Sequence, residues 1–312
     1  MKIVKPSVEI LEYPDANDKI AVYKFLEKIG RTCYKSEDRI TEDSCIKFID
    51  QLIMRRHTSV LEHFTYVTEL SKQEYYDIKN HWDTINPYNR FVNITRSIKY
   101  YPESLYQERY LMSFSIASKI NLGYYNSNDY LTRLVDKKIF NCYNESNKVF
   151  LTQNEIENSL TKEEQQKHRY LTVKFICDRG IMAELTRHRI ASFSVESTRY
   201  ANYSLDKFGN EITVISPFDN EDSYNYNCWK VSCENAEYHY LKLLDLGEQP
   251  QIARAVLPNS LKTEVVMTAP LWSWKHFFNL RMSAGAHPQM QGLVKDLYEK
   301  LQSNEIYKNF VK

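Results

Sequence analysis

The sequence predicts an α+β fold, and three observations carry that prediction. Apolar residues alternate in YLTVKFICD, where Leu171, Val173, Phe175 and Cys177 fall on one face of a strand. Elsewhere they recur at helical spacing between capping and turn residues. Glycine is scarce, seven in 312 residues with no GxG, which removes the dinucleotide and P-loop fingerprints of doubly wound folds.

A first helix is expected from about Thr41, which can cap it, through Cys45, Ile46, Ile49, Leu52 and Ile53, ending near Arg56. In the following HTSVLEHFTYVTEL, the polar residues His57, Ser59, Glu62 and His63 precede Phe64, Tyr66 and Thr68, an alternating run that begins a strand. Residues from about 67 to 169 are rich in Tyr, Asn and Lys and carry capping-box patterns at Ser71 to Glu74 and Thr161 to Glu164. This stretch reads as a largely helical insertion within a single domain spanning 1–312.

Gly180 ends the strand that starts at Tyr170, and IMAELTRHR is expected to form a short helix. Glu184 and His188 lie one turn apart on it, with Arg187 and His188 on neighbouring faces near its C-terminus. The serines of SFSVES suit turns or ligand contacts, and TRYANYS reads as extended. EYHYLKLLDLG predicts a helix closed by Gly247, and Pro250 and Pro258 bracket a second short helix that carries Arg254. In WSWKHFFNLRMS, Trp274, Phe277, Phe278 and Arg281 recur at spacings of three and four, so Arg281 projects beside an aromatic stripe.

Composition narrows the function classes. The chain is 43% hydrophobic and 26% charged with a formal net charge of +1, so no global field draws in polyanions and nucleic acid is not an expected partner. Six cysteines form no CxxC pair, which fits a reducing compartment. Charge and proline interrupt the opening MKIVKPSVEILEYPD, and no run approaches the roughly 20 apolar residues of a membrane span. A cytoplasmic protein without membrane contact is expected.

The chemistry concentrates in RHRIASFSVESTRY, where Arg187, Arg189 and Arg199 stand with His188 and three serines. Two readings remain open on physical grounds. The arginines could pair singly with Glu184, Glu196 and other acids, or together with the hydroxyls they could hold a phosphate or mononucleotide. His57, Glu62 and His63 match no zinc spacing, so no metal is expected. No GxSxG elbow or cysteine nucleophile signature occurs, which points to chemistry carried by a cofactor.

The order RHR, seven residues, then serine, from Arg187 to Ser197, resembles the signature of flavin-dependent thymidylate synthases. HTSVLEH resembles that family's upstream segment, and ARAVLP and HFFNLR, with AHPQ just after, resemble its two downstream arginine segments. The resemblance implies methylation of dUMP to dTMP, with methylenetetrahydrofolate as methylene donor and NADPH supplying reducing equivalents through FAD. It also implies a central, mostly antiparallel sheet flanked by helices and a homotetramer with sites between subunits. Carried over by motif position, Glu184, Arg187, Ser197, Thr198, Arg199, Arg254 and Arg281 would contact dUMP. Arg281 would be catalytic by favouring ionisation of the uracil. His57, Ser59, Glu62, Arg187, His188, Arg189 and His276 would face FAD or folate. The chain departs from the pattern at Val195, where some members are acidic and Glu196 follows one step later. It departs again at Pro270, Trp272 and His276, where members supply asparagine and arginine to the flavin. The alternative is therefore a divergent dUMP-binding relative lacking flavin and catalysis.

Overall fold

The computed structural model describes residues 1–304, 307, 308 and 310, apart from 81–91, 101–105, 119, 121–129, 144 and 146. The first part of the chain forms β1 (Lys2–Val4), β2 (Ser7–Leu11), α1 (Lys19–Tyr34), α2 (Ser44–Met54) and β3 (Thr65–Glu69). The middle forms α3 (Lys72–Asn80), β4 (Val92–Tyr100), β5 (Tyr106–Ser115), α4 (Tyr130–Tyr143), α5 (Gln153–Ser159) and α6 (Lys162–His168). The last part forms β6 (Tyr170–Asp178), α7 (Arg179–Leu185), β7 (Ser192–Val195), β8 (Thr213–Ile215), α8 (Tyr224–Asp245), α9 (Pro250–Ala253), β9 (Lys262–Pro270), α10 (Leu271–Arg281) and α11 (Pro288–Ser303). The fold is α+β, as its sequence predicts.

The central sheet has the order β2-β6-β9-β7, and every pairing in it is antiparallel. Its two faces differ in chemistry because side chains alternate along each strand. Leu171, Val173, Phe175 and Cys177 lie opposite Ala269, Met267, Val265 and Thr263. Together with Phe193 and Val195 they pack against Trp274, Phe277 and Phe278 of α10 and Leu293, Val294 and Leu297 of α11. The other face carries Thr172, Lys174, Ser192, Ser194, Glu264 and Thr268. Part of the candidate site is built on that buried polar face, against which α1 and the 3-10 segment Thr58–His63 pack.

Several local expectations are corrected. Helix α1 precedes the segment expected to hold the first helix; Asp18 caps it by accepting from the Ala21 N–H at 3.0 Å, and Val22, Phe25, Leu26 and Ile29 are its buried stripe. A Cβ at Gly30 would come within 2.7 Å of the Phe48 ring, so this glycine lets α1 and α2 approach closely. Helix α2 begins at Ser44 rather than Thr41, with Asp43 at its N-cap. The SFSV serines lie in a strand, not a turn, because their alternation with Phe193 and Val195 matches the two faces of the sheet. Thr198 to Tyr200 form a turn instead of extended chain.

The segment from 67 to 169 carries the expected helices, and both capping boxes form. It also holds β4 and β5, which with β3 make a three-stranded antiparallel sheet of order β3-β5-β4. Alternating β-branched and aromatic residues in VNITRSIKY and the run YLMSFS account for the strands, so among the described residues the segment adds a sheet to its helices. Met112, Phe114 and Phe150 of this region share one apolar cluster with Tyr66, Leu26, Ile29 and Ile49. A separate parallel pair, β1 with β8, packs near α8. Among the described residues no helix is long and apolar enough to cross a membrane.

Candidate active site

Helix α7 stops at Leu185, so Arg187 and His188 sit in the turns after it, not on its last turn. Arg281, at the last position of α10, reaches back to them. Its Nε donates to His188 Nε2 at 2.9 Å, one terminal nitrogen to Glu184 Oε2 at 2.6 Å and the other to the Glu184 carbonyl at 2.9 Å. An arginine guanidinium has five N–H groups, so one on each terminal nitrogen stays available. Burial, then the charges of Arg281, His276 and Arg189, push the His188 pKa down to about 4. His188 is therefore neutral near pH 7. Accepting from Arg281 at Nε2 assigns its proton to Nδ1.

A second group forms around the signature serine. The Ser197 N–H donates to the Cys33 carbonyl at 3.0 Å, and Ser197 Oγ accepts from the Arg199 N–H at 3.3 Å. Arg254, just beyond α9, donates to Thr198 Oγ1 at 3.2 Å. Beneath this turn lies Glu196, 3% exposed, whose carboxylate accepts from Lys262 Nζ at 3.0 Å and from the Tyr203 hydroxyl at 3.3 Å. Lys262 also meets Glu264 at 2.5 Å, and Glu264 pairs with Lys35 at 2.8 Å and Lys174 at 2.5 Å. Although burial opposes ionisation, the surrounding lysines hold the Glu264 carboxyl well below the usual carboxylate range.

The third group joins the upstream motif to the signature. Glu62 Oε2 accepts from Ser192 Oγ at 3.0 Å. Fully buried His63 bridges two strands, Nδ1 to Thr268 Oγ1 at 2.7 Å and Nε2 to Ser194 Oγ at 3.0 Å. Burial drives its pKa down to about 3. Glu62, Ser192 and Thr268 also line a small cavity of about 30 Å³ with Asn93, Ser115, Tyr170, the buried Pro270 and the exposed Ile190 and Trp272.

The structure thus brings Glu184, His188 and Arg281 together, and separately Ser197, Thr198, Arg199 and Arg254. Glu62 sits at the cavity, whereas Arg187, Arg189, His57, Ser59 and His276 are exposed. Arg189 donates to the carbonyls of Thr186 and His188, while Arg187 has no side-chain partner among the described residues. These groups fit a phosphate-bearing cofactor: two exposed guanidinium groups with free donors, a neutral histidine with an N–H to give, and the exposed apolar side chains of Ile190 and Trp272. No group of three or more metal-ligating side chains occurs among the described residues. His63, Glu196, Lys262, Asn93 and Tyr170 were not legible as site residues. The contacts that bring them together, His63 to Thr268, Lys262 to Glu196 and Asn93 to Tyr170, join residues 66 to 205 positions apart in sequence, and no local spacing signals them.

The model of the family described as "Thymidylate synthase complementing protein" matches residues 133–304. A protein named flavin-dependent thymidylate synthase from Pyrococcus furiosus is 29% identical over 137 residues, covering 44% of this chain and 55% of that protein. One of the same name from Campylobacter jejuni is 34% identical over 128 residues, covering 39% and 60%. A third, from Kosmotoga olearia, is 32% identical over 122 residues, covering 36% and 53%. The chain spans about half the length of the curated relatives it matches.

Proposed function

The chain belongs to the thymidylate synthase complementing protein family, and from that premise we propose that it is a flavin-dependent thymidylate synthase converting dUMP to dTMP. Methylenetetrahydrofolate is the methylene donor, and NADPH reduces the FAD. The observation that carries the reading is Arg281, anchored by Glu184 and His188 with two N–H groups left for a ligand.

In this reading Arg199 and Arg254 clamp the nucleotide phosphate, with Ser197 and Thr198 adding hydroxyl contacts. Charged hydrogen bonds of this kind contribute about 1.5 to 3 kcal/mol each. Arg281 faces the uracil, and its positive charge favours loss of the N3 proton by Coulomb attraction. Glu184 fixes the direction of that guanidinium and keeps it from swinging to solvent. Neutral His188 orients Arg281 without adding a competing charge. Arg187 and Arg189 hold the flavin nucleotide's diphosphate, and His57, Ser59, Glu62 and His276 border the flavin and folate. The bound reduced flavin supplies the hydride. No protein nucleophile is required, in keeping with the burial of Cys45, Cys142, Cys177 and Cys233.

A homotetramer belongs to the same proposal. The cavity beside Glu62 is far too small for a nucleotide and a flavin, and Arg187, Arg199 and Arg254 lie on open surface. A second copy would close over them. Light scattering should give a mass near four chains, and a monomer would remove this part.

The test of the function is the visible spectrum after incubation with FAD and removal of unbound cofactor, followed by dUMP-dependent NADPH oxidation. A retained flavin spectrum with turnover is expected. A colourless protein that still binds dUMP would select the divergent binding relative, the reading that Pro270 and Trp272 favour.

A further inference from the structure

The cavity beside Glu62 is shared between the main body and the insertion. Glu62, Ser192 and Tyr170 come from the body, while Asn93 comes from β4, the outer strand of the inserted sheet. Asn93 Nδ2 donates to the Tyr170 hydroxyl at 3.2 Å. The same face of this strand is fixed further along: Thr95 Oγ1 meets His168 Nε2 at 2.7 Å, and Ser97 donates to the buried Glu164 carboxylate. The position of Asn93 is therefore held by three successive contacts along β4. Its amide oxygen has no partner among the described residues, so the cavity offers a carboxylate, an amide and hydroxyls together.

At about 30 Å³ the cavity holds one or two non-hydrogen atoms and not a ring. Its rim, however, carries the exposed side chains of Ile190 and Trp272, 42% and 39% accessible, which suit the faces of a planar heterocycle. We propose that this cavity takes the hydrogen-bonding edge of a planar heterocycle, a ring N–H beside an exocyclic C=O or amino group, and that Asn93 makes the insertion part of the ligand site. Glu62 accepts from the ring N–H, and Asn93 donates to or accepts from the exocyclic atom. The inference rests on the proposed function, which supplies two such edges, the flavin's imide and the folate's aminopyrimidinone.

The test is to measure FAD, tetrahydrofolate and dUMP binding separately for the wild-type protein, Asn93→Ala and Tyr170→Phe, with a melting temperature for each. Asn93→Ala should weaken FAD or tetrahydrofolate, whichever owns the edge, by about tenfold, the worth of one buried hydrogen bond. dUMP should stay within about twofold and the melting temperature within a few degrees. Tyr170→Phe, which removes the hydroxyl that orients Asn93, should shift the same ligand in the same direction. Unchanged affinity for both FAD and tetrahydrofolate would overturn the proposal while leaving the enzyme reading intact. Equal loss of all three ligands with a lowered melting temperature would reduce Asn93 to a structural role and also overturn it. A wild-type protein that binds neither heterocycle would sink the function first and this inference with it.

Discussion

Arg281 shows how one side chain is set by its partners. Three of its N–H groups are fixed on Glu184 and His188, and a neutral His188 is what allows the Nε contact, since an imidazolium has no lone pair to accept it. Arg281→Ala should keep the fold, because the side chain ends a helix whose buried stripe is elsewhere, yet lower dTMP formation by at least about 100-fold. Turnover within a few-fold of wild type would remove the role. His63 gives a different expectation. Its pKa is lowered on folding, so its contribution is kept above about 6.5 and lost as pH falls toward 3, the unfolded chain taking a proton that the folded one refuses. The loss is on the order of 1 kcal/mol per pH unit. Melting temperature should therefore fall between pH 7 and pH 5, and His63→Gln should flatten that fall. An unchanged slope in the variant would contradict the assignment.

At the scale of elements, the loop after β7 depends on what lies under it. Glu196 and Lys262 lock the chain just before Ser197, and the Cys33 carbonyl at the end of α1 holds Ser197 itself. Lys262→Met leaves a buried carboxylate with one hydroxyl partner, so the turn should loosen although no ligand contact is deleted. dUMP affinity is expected to drop roughly tenfold with FAD affinity little changed, and Arg199→Ala should show the same pattern more strongly. Titration of both ligands into both variants checks this. A Lys262→Met protein with wild-type dUMP affinity would show that the network serves stability alone. The serines of β7 teach the same lesson, since strand pairing with β9 decides which face they take and thereby brings Ser192 to Glu62 and Ser194 to His63.

For the molecule as a whole, the insertion is not an appended unit. Phe114 and Tyr66 of its sheet stack with ring centroids 5.4 Å apart, inside the apolar cluster that also contains Leu26 and Ile49 of α1 and α2. Arg169, fully buried, faces the Tyr307 ring at 4.9 Å and meets Glu157, tying the insertion's last helices to the C-terminal segment. One cooperative unfolding transition is expected by calorimetry. Phe114→Ala should cost about 3 to 5 kcal/mol and lower that single transition as a whole. Two separate transitions, with only one moved by the substitution, would show that the insertion folds on its own.

The sequence determined what short-range chemistry can fix. Alternation at 170–178 and helical spacing before Gly247 and in WSWKHFFNLR set elements the structure contains, because each depends on residues within a few positions of one another. The absence of glycine fingerprints and the ordered arginine motifs pointed to the family for the same reason. Only the tertiary structure decided that Arg281 closes on Glu184, that His63 bridges two strands, that Lys262 pairs with Glu196 beneath the signature turn and that Asn93 lines the cavity beside Glu62. Those contacts join residues from 66 to 205 positions apart across a sheet whose polar face is buried. Burial, strand register and pKa arise from what packs against a residue, which local spacing does not encode.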